Sequence, residues 1–173
     1  MTELRPPVYA EGRALLLVGL RQHHPQATAA QSILEQWEAF EALKRMPGAI
    51  GTTTYGVVCG NNPAEQTFEY MCGLEVADFD AVPADLDRMQ IQSQRYAVFT
   101  HRGKVAKLRN TWAEIWNEWL PASGYAAADA PDFELYDYRF DRQAGKGVIE
   151  IWFPVMPEYD QNITKTLPQL LNL

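Results

Sequence analysis

Apolar positions along the chain recur with a period of two in some stretches and of three to four in others, and the two rhythms alternate in order. The run Val148–Val155 is apolar on both sides, as a strand covered on both faces would be. Val148, Glu150 and Trp152 share one face of it; Ile149, Ile151 and Phe153 share the other. Arg13–Arg21 reads as a second buried strand, after an irregular lead-in over Met1–Glu11 containing Pro6-Pro7. His23–Ala27 reads as a polar connection. A helix is predicted from Thr28, or the alanines after it, to about Arg45, with Ile33, Trp37 and Phe40 at helical spacing and Pro47-Gly48 as its stop. Thr52–Cys59 and Gln66–Val76 read as strands around a Gly60–Pro63 turn, the second with Phe68, Tyr70, Cys72, Leu74 and Val76 on one face.

Asp78–Asp87 is an acidic connector, and the same order of elements follows it. Met89–His101 contains a strand over 94–101. Val105–Leu120 is a helix carrying Trp112, Trp116 and Trp119, and Pro121 and Gly124 end it. Phe133–Phe140 is a strand, 141–147 a turn, and 148–155 the last strand. Strand, helix, strand, strand therefore occurs twice, without residue identity to match. The pattern predicts an α+β fold of two βαββ modules, about 10–77 and about 88–156, within one domain over 1–173. The sheet would be antiparallel with both helices on one face, and a ligand cleft would lie at the pseudo-twofold seam. The tail over 157–173 is expected to be a covering arm or a partner contact.

Of the 173 residues 47% are hydrophobic and 21% charged, ordinary for a globular chain. A net charge of −7 argues against direct nucleic-acid binding, which needs clustered Lys and Arg, and is compatible with a cationic small molecule. No run approaches a membrane span and no signal-peptide pattern opens the sequence, so a cytoplasmic location away from membranes is expected. Cys59 and Cys72 are expected to be reduced, since a simple hairpin register puts Cys72 opposite a residue near Thr53. His23, His24 and His101 lack partners at metal spacing, and no phosphate loop or nucleophile elbow is present; neither metal nor cofactor is expected.

Candidate chemistry centres on carboxylates and aromatic rings. Glu150, amid apolar neighbours, either escapes to solvent at a strand end or is buried and needs a cation or a raised pKa. Trp152 lies on its face. The tryptophans of the second helix are either a heavy core face or a wall able to bind cations. Glu134, sharing a face with Tyr136 and Tyr138, reads as solvent-exposed; if its strand pairs with the last one, it could instead approach Glu150 across the sheet as an acid/base pair. Glu69 and Glu75 look solvent-directed.

Four motifs in order and spacing, Tyr96–Gly103, Trp119–Tyr125, Asp132–Tyr136 and Glu150–Val155, resemble the GyrI-like effector-binding domain of AraC- and MerR-type transcription regulators. Phe68–Val76 extends the likeness into the first module, so that it covers about residues 10–156. The resemblance implies a duplicated βαββ fold and an aromatic pocket for lipophilic cations. It also implies a buried glutamate on the last strand in an E-x-x-x-P setting, which falls on Glu150 and Pro154, with Trp152 lining the pocket. Trp112, Trp116, Tyr55, Phe99 and Tyr136 join the pocket by their facing. No helix-turn-helix precedes Arg13, so a stand-alone sensor or sequestering module is expected, working with a separate DNA-binding regulator or as a homodimer. Two alternatives remain open. One is a hydrolase of strained electrophiles using Glu150 and Glu134; the other is an inhibitor of DNA gyrase.

Overall fold

In the computed structural model, which describes residues 4–43 and 46–157, β1 (Val8–Gly12) leads into β2 (Leu15–Pro25) and, through a 3-10 turn at Gln26–Thr28, into α1 (Ala29–Ala42). β3 (Ala49–Asn62), β4 (Thr67–Val76), β5 (Asp87–Ile91) and β6 (Gln94–Lys104) follow. A 3-10 turn at Val105–Lys107 opens α2 (Leu108–Glu114), which passes through a π-helical turn at Ile115–Trp119 into α3 (Leu120–Ser123). Gly124, at φ 74°, caps this helical run in the left-handed region that glycine adopts without steric cost. β7 (Tyr125–Ala127), β8 (Asp132–Tyr136), β9 (Phe140–Asp141) and β10 (Lys146–Pro157) complete the described elements.

The strands form one sheet in the order β1-β6-β10-β8-β3-β4-β2-β5, with β7 and β9 added along β10. Every described pairing is antiparallel. This order cannot be flat. β1 and β2 stand six strand spacings apart, roughly 29 Å at about 4.8 Å each. Only Arg13 and Ala14 join them, and three Cα steps reach at most about 11 Å. β5 and β6, joined by Gln92 and Ser93, impose the same constraint from the other end. The sheet therefore curls until its ends approach each other.

Curling divides the core. Inside lie Leu15, Leu17, Tyr55, Val57, Met71, Met89, Ile91, Tyr96 and Phe133, drawn from both ends of the sheet, with Trp152 against them. Outside, α1 covers Val18, Tyr70, Cys72 and Val76, while α2 and its π turn cover Ala97, Phe99, Ile149, Ile151 and Phe153. The alternation read along 148–155 is the division between these two sides.

Several local expectations change. Residues 8–12 are not an irregular lead-in but an edge strand, Val8–Gly12 pairing with Val98–Gln94. β2 runs on to Pro25 and buries His24, which the sequence placed in a connection. α1 ends at Ala42, before the predicted limit at Arg45, and the predicted arm, apart from Pro157, lies outside the described residues. Cys72 faces Gly56 rather than a residue near Thr53, because the hairpin pairs as far as Asn62 and Thr67, which alone would set Cys72 opposite Val57, and the bulge between Val58 and Gly60 moves its partner by only one residue. Both cysteines are free thiols. No described helix is long and apolar enough to cross a membrane.

Ile151 has no exposure and sits at the centre of the α2 side. Ile151→Ala is expected to cost about 2–5 kcal/mol of stability in a denaturant titration.

Candidate functional site

Strand parity decides which carboxylate can serve a pocket. In the β8–β10 pairing Ile151 stands opposite Glu134 and Glu150 opposite Leu135. Directly opposed residues project from the same face, so Glu134 shares the helix side with Ile151, while Glu150 faces inside the curl. The two carboxylates cannot approach across the sheet, being one residue out of phase.

Glu134 is buried, at 7% exposure. Tyr70 from β4 donates its hydroxyl to Oε2 at 2.9 Å, Tyr136 donates to the same oxygen at 2.6 Å, and Trp112 Nε1 of α2 donates to Oε1 at 3.1 Å. Trp37 of α1 donates to the Tyr70 hydroxyl at 3.2 Å, and its ring meets Tyr136 edge to face at 5.2 Å. Burial raises the Glu134 pKa above the usual carboxylate value, and the three hydrogen bonds pull it partly back.

Two features of the scaffold fix these groups. Gly56 of β3 lies opposite both Glu134 and Cys72, and a Cβ there would overlap the Tyr70 hydroxyl. The missing side chain is what lets Tyr70 reach across β3 to Glu134. On the helix side, Gln36 donates to the carbonyls of Leu20 and Tyr70 at 2.8 Å each and stands 2.6 Å from His24 Nε2. His24 Nδ1 in turn meets the Ser32 hydroxyl at 2.7 Å, so α1 is pinned to β2 and β4 beside Tyr70.

Above Glu134 a cavity of about 1310 Å³ opens between α1 and α2. Trp37, Phe68, Tyr70, Trp112, Trp116, Tyr136 and Phe153 supply its aromatic surface, and Ile33, Leu34 and Val105 are among its apolar lining. Leu34, Val105 and Trp116 remain exposed at its rim. A second acid, Asp132, lies two residues before Glu134 on the same face of β8 and also lines the cavity. Burial, and secondarily the nearby Glu134, push its pKa up to about 7. The described residues contain no group of three His, Cys, Asp or Glu placed to hold a metal ion.

Of the residues picked from the sequence, Trp112, Trp116 and Tyr136 line this cavity. Four do not. Glu150 is paired with Arg139 Nη2 at 2.8 Å and accepts from Trp152 Nε1 at 3.0 Å, so its charge is already answered. Trp152 stacks on Phe133 inside the curl, and Tyr55 packs edge-on against the same ring. Phe99 is on the helix side but is covered by Trp119, centroids 4.9 Å apart. Glu134, read as exposed, is the buried one. Trp37, Tyr70 and Gly56 were not selected, although Trp37 sits on the apolar stripe of α1 and Tyr70 on the apolar face of β4. The π turn splits the tryptophan stripe: Trp112 reaches Glu134, Trp116 stays at the rim over Phe153, and Trp119 goes to the core.

A curled antiparallel sheet with two helices flanking an aromatic cavity is the architecture of a ligand-binding domain. Residues 13–156 match the GyrI-like small molecule binding domain, and the chain belongs to that family. Over 87 residues it is 36% identical to the transcriptional regulator BrlR of Pseudomonas aeruginosa, an alignment spanning 50% of this chain and 32% of BrlR. Its fold is similar to that of SAV2435, solved bound to tetraphenylphosphonium (TM-score 0.71, 22% identity, 88% of this chain and 94% of the other). It is similar too to the C-terminal domain of EcmrR (TM-score 0.64, 18% identity, 87% and 97%).

Gly56→Ala is expected to cost about 1–3 kcal/mol in a denaturant titration, and clearly less in a Tyr70→Phe background where the hydroxyl is gone. A second expectation concerns pH. Asp132 titrates near 7 in the fold against about 3.9 when unfolded, so between those values the unfolded chain holds fewer protons. The stability linked to this group is complete below about pH 4 and is lost as the pH rises to about 7. The melting temperature of Asp132→Asn should therefore gain on wild type between pH 5 and 8; a constant difference would count against it.

Proposed function

We propose that this domain binds lipophilic organic cations in the cavity between α1 and α2, as a sensor or sequestering module, with Glu134 supplying the negative charge. One observation carries the reading. Glu134 is buried and held by three uncharged donors, and no described cation pairs with it. An unpaired buried charge opposes folding, and a ligand cation removes that cost on entering. The rings of Trp112 and Trp116 add cation–π attraction, up to about 2 kcal/mol where water is excluded, while the Arg142 guanidinium, 4.8 Å from its centroid, already covers one face of Trp37. The tetraphenylphosphonium held by the similarly folded SAV2435 is a ligand of this class.

The two halves are read here as repeats. In support, exchanging β1 with β5, β2 with β6, β4 with β10 and β3 with β8 leaves the strand order unchanged. Ser32 and Thr111, each the fourth residue of its helix, both contact a strand histidine, His24 and His101, at 2.7 Å. The modules then span about 10–77 and 88–156 and exchange their leading strands. The β3–β8 seam, with Gly56 opposite Glu134, forms the floor of the cavity. By its likeness to part of a transcriptional regulator, the domain would act in the cytoplasm and pass its bound state to a DNA-binding partner or a second copy.

Hydrolysis of a strained electrophile has one observation in its favour, the convergence of the Tyr70 and Tyr136 hydroxyls on Glu134. In that role Glu134 replaces Glu150 as the base, and Glu134→Gln should abolish turnover.

Titration calorimetry with tetraphenylphosphonium tests the main reading. Glu134→Gln is expected to weaken binding about 10- to 100-fold, and Glu150→Gln to leave it within about twofold. Tetraphenylborate, of the same shape and opposite charge, should not bind. Equal affinity of wild type and Glu134→Gln would remove the role given to Glu134.

A further inference from the structure

Glu134 and Asp132 are not equivalent anions. Both oxygens of Glu134 are already occupied, Oε2 by two hydroxyls and Oε1 by an indole N–H. It can therefore attract a cation through space but has little capacity left for an N–H donor. Asp132 makes no side-chain hydrogen bond or ion pair to another described residue, although it lines the same cavity. Apart from a bond accepted from its own backbone N–H, its lone pairs are open to a donor.

The groups around it leave that position open. Across the β3–β8 pairing Asp132 meets Val58, which carries no charge, and the neighbouring Cys59 thiol is itself pushed up to about 11 by burial. From α2 only Arg109 among the cavity-lining residues is basic; it is exposed and makes no ion pair with Asp132. Asp129 lies on the exposed rim. Two residues along a strand separate Asp132 from Glu134 by about 7 Å between Cα atoms.

Resting on the reading that the cavity binds lipophilic cations, we propose that its preferred ligands carry two positive centres. The first is a delocalised or shielded cation set among the aromatic rings over Glu134. The second is a protonated amine about 7 Å away that donates N–H bonds to Asp132. Asp132 is the specificity determinant for the amine arm. An uncharged arm leaves its carboxylate unsatisfied, and this is what separates amine-bearing ligands from simple monocations.

The test compares butyltriphenylphosphonium with 4-aminobutyltriphenylphosphonium by calorimetry at pH 8, where Asp132 is mostly ionised and the amine protonated. The readout is the ratio of the two Kd values within each protein, which is independent of any change in overall affinity. In wild type the amine arm is expected to tighten binding about tenfold or more, in Asp132→Asn the ratio should fall to near one, and in Asp129→Asn it should persist. A wild-type ratio near one, or one that survives Asp132→Asn, overturns the proposal while leaving the cation-binding reading intact. If neither phosphonium binds, the underlying reading fails and this one with it.

Discussion

A buried carboxylate with three uncharged donors, and no ion pair to any described residue, is the constraint around which this domain is arranged. Each donor reaches Glu134 from a different element: Tyr70 from β4 across a side-chain-free Gly56 on β3, Tyr136 from Glu134's own strand, and Trp112 from α2. A carboxylate held this way has its hydrogen bonds but no ion-pair partner among the described residues, the state on which the proposed cation site rests. The hydrogen bonds of Gln36 and His24 beneath α1 serve the same end, since they hold Tyr70 in place.

Chain connectivity accounts for where the site lies. Two-residue links join strands that sit six places apart in the sheet, so the sheet curls, packs one set of apolar side chains within and leaves the other set for the helices. α1 packs over β2 and β4 and α2 over β6 and β10, and the cavity between them falls over the β3–β8 pairing. Every strand position is thereby assigned to the inner packing or to the cavity side by its parity alone.

Parity also explains what the sequence could and could not disclose. Alternation along 148–155 separated the two faces of β10 correctly, and the helix tryptophans pointed to an aromatic wall. Which face of β10 looked toward the helices depended on its register with β8, and no local pattern carries that. Local pattern therefore points to Glu150, whose charge Arg139 and Trp152 already satisfy, and away from the buried Glu134. Gly56 held a usable signal, since a glycine within an otherwise β-branched and aromatic strand often marks close approach of another group. The π turn, which sends Trp116 and Trp119 to different surroundings, has no comparable mark.

The central claim, that Glu134 rather than Glu150 is the anion facing the ligand, is tested most directly by a crystal structure with tetraphenylphosphonium bound. The phosphonium is expected between α1 and α2, its rings against Trp37 and Trp112 and its charge over the Glu134 carboxylate, with the Glu150–Arg139 pair intact. A phosphonium seated beside Glu150 and Trp152 with that ion pair broken, or one held outside the cavity, would contradict it.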